Sequence, residues 1–167
     1  MYEAGAIAIM AIRIIVLDPD PVLREKAKTV TKFNSNLHKL LDDMADTMYD
    51  AQGVGLAAPQ IGILKRVIVM DVGDDNGLIE MINPEIVSVD GEQTGPEGCL
   101  SIPGLRGDVK RPMHVKAKGL NRDGEEIVVE GSELLARCIM HEIDHLNGVL
   151  FTDLALKVYV SEDEEEE

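Results

Sequence analysis

The chain has 167 residues, and its formal net charge of −15 includes six acidic side chains among the last seven residues, Ser161 to Glu167. Setting those six aside leaves −9, which excludes a broad nucleic-acid-binding face, since phosphate contacts require clustered Lys and Arg. The length suits one domain whose core must be aliphatic, because aromatics are only 3% of residues, and two cysteines make no disulfide framework, so the chain reads as intracellular.

Residues 4–16 are apolar but lack the charged leader and cleavage site of a signal peptide, so they read as a short extension running into a first strand. Met10 is a candidate initiator, which makes residues 1–9 an N-terminal extension. No window reaches the roughly 20 apolar residues of a membrane span. Two prolines make Asp18 to Leu23 a turn, and Arg24 to Phe33 looks irregular. A helix is predicted from Asn36 to Ala51, capped by Ser35 or Asn34. Leu37, Leu40, Leu41, Met44 and Met48 form its core-facing stripe, and His38 falls on the solvent side.

The stretch Gly53-Val54-Gly55-Leu56-Ala57-Ala58-Pro59-Gln60 carries little side-chain bulk, so another backbone can approach it closely. It is no phosphate loop, because the glycine spacing is wrong and no Lys-Ser or Lys-Thr follows. On spacing alone it is either a tight connection or a peptide-binding rim. Arg66 to Asp71 reads as a strand, 73–77 as a turn, and Leu78 to Ile82 and Ile86 to Asp90 as two strands around Asn83-Pro84. A loop over 91–98 then delivers Cys99. Met113 to Leu120 and Glu125 to Glu130 form a predicted hairpin about Asn121-Arg122-Asp123-Gly124. His114 lies in this hairpin and is given no role. A second helix follows, with Ser132 as N-cap, Glu133 in the first turn and Gly148 at the C-terminal end. Val149 to Leu154 reads as a last short strand, and 155–167 as an acidic, disordered tail. Short strands around two helices make an α+β domain spanning 10–154.

Chemistry concentrates on the second helix, at His141-Glu142-Ile143-Asp144-His145. Positions i and i+4 share a helix face, so both imidazoles can reach one metal ion, with Glu142 beside them to act on a water. Leu134, Cys138, His141 and His145 lie on one face, which should turn toward the core. A catalytic site of this type needs a third protein ligand and an open position. Cys138, three residues before His141, and Cys99, in Glu97-Gly98-Cys99-Leu100-Ser101, are both available, and either could equally be a buried cysteine of the core.

Three separated segments, GVGLAAPQ at 53–60, EGCLS at 97–101 and HEIDH at 141–145, stand in an order and approximate spacing that resemble the peptide deformylases. The HExxH segment alone is shared with many metalloproteases; the three together are specific. The resemblance extends from about residue 12 to 154 and includes PVLR at 21–24. It implies a compact α+β domain in which mixed or antiparallel sheets surround a central helix bearing the metal site. It further implies Cys99, His141 and His145 as ligands of one divalent ion, with Fe²⁺ expected and Ni²⁺, Co²⁺ or Zn²⁺ able to substitute. The implied reaction removes the N-formyl group from the initiator methionine of new proteins. Glu142 would move the proton, and the Leu100 backbone N–H and the Gln60 amide would stabilise the charge on the formyl oxygen. Gly53, Val54, Gly55 and Leu56 would pair with the substrate backbone, and Leu134, Cys138 and the stem of Arg106 would line the methionine pocket. Glu97 would support a ligand by a hydrogen bond, and Asp144 would pair with Arg111.

The expected partners are N-formylmethionyl peptides in a bacterial cytoplasm, with no membrane and no direct nucleic-acid binding. Many deformylases carry a C-terminal helix that docks on the ribosome. The acidic segment here would be repelled by ribosomal RNA, so any ribosome contact should be weak or transient. A zinc endopeptidase would take its third ligand downstream, where only Asp153 and the acidic tail lie. An inactive relative would be expected to lack Glu142, Gln60 or Cys99, and all three are present.

Overall fold

Val67–Met70 is apolar at every position and buried at every position, which requires cover on both faces of the strand. Side chains alternate along a strand, and the cover divides accordingly. Ile68 and Met70 pack with Leu135, Ala136, Ile139, Ile143 and Leu146 on one side. Val67 and Val69 pack with Leu37, Leu40, Leu41, Met44 and Met48 on the other. Each fully buried aliphatic side chain contributes about 1.5–3 kcal/mol, so these two layers dominate the fold.

The structure is a computed structural model that describes residues 11–161. Its helices are α1 (Ser35–Asp50), α2 (Leu134–Leu146) and α3 (Phe151–Leu154). Its strands are β1 (Gly55–Ala57), β2 (Val67–Met70), β3 (Ile79–Asp90), β4 (Gln93–Cys99), β5 (Ile102–Arg111), β6 (His114–Leu120), β7 (Glu126–Ser132) and β8 (Lys157–Val160). Single 3-10 turns occupy Pro21–Arg24 and Ala58–Ile61. One antiparallel sheet has the order β1-β2-β3-β6-β7, and a second has β4-β5-β8. The α+β class and the central helix expected from sequence are both present.

The first helix starts one residue earlier than its pattern indicates, and the Asn34 side chain accepts the Leu37 N–H at 3.1 Å as its cap. The 113–130 hairpin pairs in continuous register from His114↔Ser132 to Leu120↔Glu126. His38 is partly exposed, its Nε2 2.8 Å from the Arg122 carbonyl.

Several expectations are corrected. The two strands around Asn83-Pro84 are one strand, β3, with register shifts that absorb the proline. Asn83 takes φ 52°, a left-handed conformation asparagine tolerates, and its amide bonds both the N–H and the carbonyl of Val30 at 2.9 Å. The loop expected over 91–98 is mostly β4, paired with β5 from Gln93↔Arg111 to Cys99↔Ile102. Ser132 does not cap α2. It ends β7, its hydroxyl meets His114 Nδ1 at 2.7 Å, and Glu133 (φ 53°) turns the chain into the helix without any side-chain cap. Leu134 is 49% exposed, so the core-facing stripe of α2 begins one turn later. The strand expected at 149–154 is the short helix α3, and β8 follows within the segment expected to be a disordered tail. Residues 11–16 form no strand, and the expected extension and residues 162–167 lie outside the described residues.

Candidate active site

The second helix is pinned at both ends. At its start the Glu133 N–H bonds the Met113 carbonyl at 2.9 Å. At its end Gly148 takes φ 75° and packs against the Arg24 carbonyl, a position where any Cβ would clash with backbone. Between these points α2 presents His141 and His145 to Glu97 and Cys99 of the second sheet and Cys138 and Glu142 to Val54 and Gly55, all four buried.

Cys99 arrives from that second sheet, on the tight turn between β4 and β5. Its Sγ lies 3.3 Å from His145 Nε2, and His145 Nε2 lies 3.2 Å from His141 Nε2. These three ligand atoms fall within 4.8 Å of one another, the only such group among the described residues. A thiol and two imidazole nitrogens converging in this way suit one divalent transition metal with a position left open. The donor set therefore fits the implied ion.

The imidazole of His141 is fixed from behind. Its Nδ1 lies 2.9 Å from Glu97 Oε1, which turns Nε2 toward the ligand cluster. Glu97 also accepts from Arg111 Nε at 2.7 Å, Arg111 Nη2 at 3.0 Å and Arg137 Nη1 at 2.8 Å. Burial alone would raise the Glu97 pKa, but the bonds from Arg111 and His141 overcome it and hold the carboxyl at about 2. Arg111 reaches on to Asp144 Oδ2 at 2.7 Å, the pairing expected from sequence. Burial drives His145 well below its ordinary pKa, whereas at His141 burial is outweighed by the hydrogen bonds with Cys99 and Glu97, which hold it well above its own.

Glu142 is the second distinctive group. Burial pushes its carboxyl up to about 7, and Oε1 has no hydrogen-bond partner among the described residues. A carboxyl near neutrality beside a metal site is suited to take and return protons.

Cys99, His141 and Glu142 line a cleft of about 640 Å³ together with Gly53, Val54, Gly55, Gln60, Leu100, Arg106 and Leu134. The small residues are needed here. A Cβ on Gly55 would lie 2.5 Å from Glu142 Oε2 and 2.9 Å from Cys138 Sγ, and one on Gly53 would lie 2.7 Å from Leu100 Cδ1. The Gln60 carbonyl Oε1 accepts the Ala57 N–H at 3.0 Å, which turns Nε2 toward Ser101 Oγ (3.1 Å) and Cys99 Sγ (3.6 Å). Leu56 lies behind the cleft wall, fully buried in the core, and only its backbone belongs to the rim. Cys138 is buried, with its thiol pKa raised by desolvation, and its Sγ is 3.5 Å from the Val54 carbonyl.

A family model described as polypeptide deformylase matches residues 12–159. The chain belongs to the polypeptide deformylase family. A peptide deformylase of Alkaliphilus metalliredigens is 61% identical over 148 residues, covering 89% of this chain and 99% of that protein. A deformylase crystal structure from Legionella pneumophila superposes with TM-score 0.83 at 51% identity, covering 86% of this chain and 85% of that one. The Synechococcus elongatus deformylase, solved in complex with actinonin, superposes with TM-score 0.83 at 42% identity, covering 87% and 79%. The family match runs past residue 154 into β8, in agreement with the strand found there.

Two contributors to this cluster are given no role from the sequence. Arg137 is a buried cation one helical turn before His141, a signal visible as a basic residue on the face that also carries His141 and Asp144. Ser101 is fully buried against Gln60, and a serine after an apolar residue carries no comparable signal.

Proposed function

We propose that this chain is a metal-dependent peptide deformylase that hydrolyses the N-formyl group of the initiator methionine and releases formate. The observation that carries the proposal is the convergence of Cys99, His141 and His145 beside Glu142 at the wall of the cleft. Bound there, a divalent metal ion supplies Lewis acidity toward water and the formyl oxygen.

The remaining work falls to the chain. Glu142 accepts a proton from the attacking water as the new C–O bond forms, and delivers it to the amine as the formyl C–N bond then breaks. The Leu100 N–H and the Gln60 hydrogen directed at Cys99 donate to the negative charge on the formyl oxygen. The first strand, β1, is the edge of its sheet, so the backbone from Gly53 to Leu56 can receive the peptide as an added strand. Arg106, Leu134 and Cys138 take the methionine side chain. The resemblance to the family makes Fe²⁺ the expected resident ion, and a thiolate with two imidazoles accepts Ni²⁺, Co²⁺ or Zn²⁺ equally well.

We place the enzyme in the cytoplasm, where nascent chains carry the formyl group, and no described helix is long and apolar enough to cross a membrane. Ribosome contact is weak or transient, and the acidic residues after Ser161 oppose it. The test is formate release from a formyl-Met tripeptide by anaerobically purified protein, with metal content quantified in the same sample. Turnover abolished by a chelator and restored by Fe²⁺ or Ni²⁺ supports the proposal. A fully loaded protein that releases no formate overturns it in favour of a binding-only relative.

A further inference from the structure

The residues that meet at Cys99 belong to different sheets. Gln60 follows β1 of the five-stranded sheet, while Cys99 and Ser101 stand at the β4–β5 turn of the three-stranded sheet. One segment without regular secondary structure, residues 13–18, bonds to both. The Val16 N–H donates to the Gln60 carbonyl at 2.7 Å, and the Asp18 N–H donates to the Ser101 carbonyl at 2.9 Å. Only Leu17 separates the two donors, so residues 16–18 hold the two carbonyls close together. The side chains of those same two residues, Gln60 Nε2 and Ser101 Oγ, bond each other at 3.1 Å.

The segment is itself anchored on α1. Arg13 Nε and Nη2 donate to Asp43 Oδ2 at 2.9 and 2.7 Å, and the Arg13 N–H donates to Thr47 Oγ1 at 2.8 Å. The Thr47 hydroxyl donates in turn to the Asp43 carbonyl at 2.7 Å. Asp43 has a side chain only 3% exposed, and its other cation, Lys39, stands at 3.5 Å. Removing the partner of a buried carboxylate is strongly destabilising, so the Arg13 anchor is held in place. Asp20 secures the far end by accepting the Val22 N–H at 3.0 Å.

We propose that residues 13–18 form a strap, anchored by Arg13 on Asp43 and Thr47, that positions Gln60 against Cys99 and thereby sets the turnover rate. Arg13, Asp43 and Thr47 are positioning residues that touch neither substrate nor metal. The proposal rests on the deformylase reading and on the donor role given to Gln60. Loosening the anchor leaves the edge strand and the methionine pocket intact, so it lowers kcat and leaves KM unchanged. Partial misplacement of one donor should lower kcat about tenfold, a fraction of the about 10²–10³ lost when such a donor is removed.

The experiment compares wild type, Arg13→Ala, Arg13→Lys and Thr47→Val, each loaded with nickel, on a formyl-Met tripeptide, and repeats Arg13→Ala in a Gln60→Ala background. Amide hydrogen exchange at Val16 and Asp18 is measured in the same proteins. The strap predicts faster exchange, a fall in kcat at constant KM, partial rescue by lysine, and no further loss when Gln60 is already absent. An unchanged kcat well below the melting temperature overturns the proposal. So does a loss of equal factor with and without Gln60, which assigns the anchor to stability alone. Thr47→Val, which removes the bond from the Arg13 N–H and the bond to the Asp43 carbonyl at nearly constant volume, carries the test if Arg13→Ala fails to fold. A wild type that releases no formate refutes the deformylase reading, whereas an active wild type with an indifferent Arg13→Ala variant refutes the strap.

Discussion

Replacing Glu97 by glutamine keeps the side chain's shape and removes its charge, and the structure sets the size of the effect. The carboxylate receives four donors: Arg111 Nε, Arg111 Nη2, Arg137 Nη1 and His141 Nδ1. A glutamine offers one carbonyl oxygen with two lone pairs, and its amide N–H groups would face donors rather than acceptors. Two buried donors therefore lose their partner, at about 1–3 kcal/mol each, or about 2–6 kcal/mol together. In a domain of this size 1 kcal/mol moves the melting temperature by about 2–4 °C, so the metal-free variant should melt on the order of 10 °C lower. Metal affinity should fall about 10–100-fold, because the His141 ring is no longer held with Nε2 forward. Circular dichroism melts of chelator-stripped protein test the first figure, since bound metal would itself add stability. Competition with a metal-binding dye tests the second. A melting temperature equal to wild type would refute the assignment of this cluster as a buried clamp. A large drop in stability with undiminished metal affinity would refute the account of His141.

Further outcomes follow from the same geometry. Glu142→Ala should keep its metal and lose about 10²–10⁴ in turnover, and loss of metal together with activity would contradict its role as proton carrier. Gly55→Ala should fold yet raise KM and lower kcat, because the new methyl group would lie 2.5 Å from Glu142 Oε2 unless backbone or carboxylate moves; wild-type kinetics would show that the rim does not need glycine. The Tyr49 hydroxyl donates to Asp71 Oδ2 at 2.6 Å, and that bond, with burial and the Asp71 charge, pushes its pKa up to about 12. The folded value lies above the unfolded one, so the bond's contribution is complete below about pH 10 and is lost as pH rises through about 12. Phenolate absorbance of wild type minus Tyr49→Phe reads this directly, and ionisation near pH 10 would contradict it.

Local pattern revealed the elements whose patterns are local. The stripe Leu37–Met48 and the spacing of His141 and His145 are periodicities of single helices, and both helices exist where those patterns lie. Asn121-Arg122-Asp123-Gly124 is a turn with its own chemistry. Asn121 Oδ1 accepts the N–H groups of Asp123 and Glu125, and Gly124 takes φ 82°. The second sheet was hidden because β4 carries Gly95, Pro96 and Gly98, which locally argue for a loop. Gly95 serves close approach, since a Cβ there would lie 3.3 Å from the Arg137 guanidinium. Ser132 resembles a helix cap in sequence, yet strand pairing with His114 engages it first. Tertiary competition of this kind overrides local preference, and nothing in the neighbouring residues announces it.

The ligand set shows why the recognisable segments are scattered. His141 and His145 ride on α2, which packs on the five-stranded sheet, while Cys99 and Glu97 belong to the three-stranded one. No segment holds a complete site, so ligand spacing depends on the ties between the two halves. Two such ties meet at the metal centre. The Glu97 cluster joins β4 to α2 through Arg137 and His141 and to β5 through Arg111. The bonds from Val16 and Asp18 join Gln60 to Ser101 on the opposite side. The first is buried and charged and governs whether His141 can bind metal. The second is a pair of neutral backbone bonds and governs where one donor points. Breaking the first should therefore cost metal and stability together, whereas breaking the second should cost rate at full metal content.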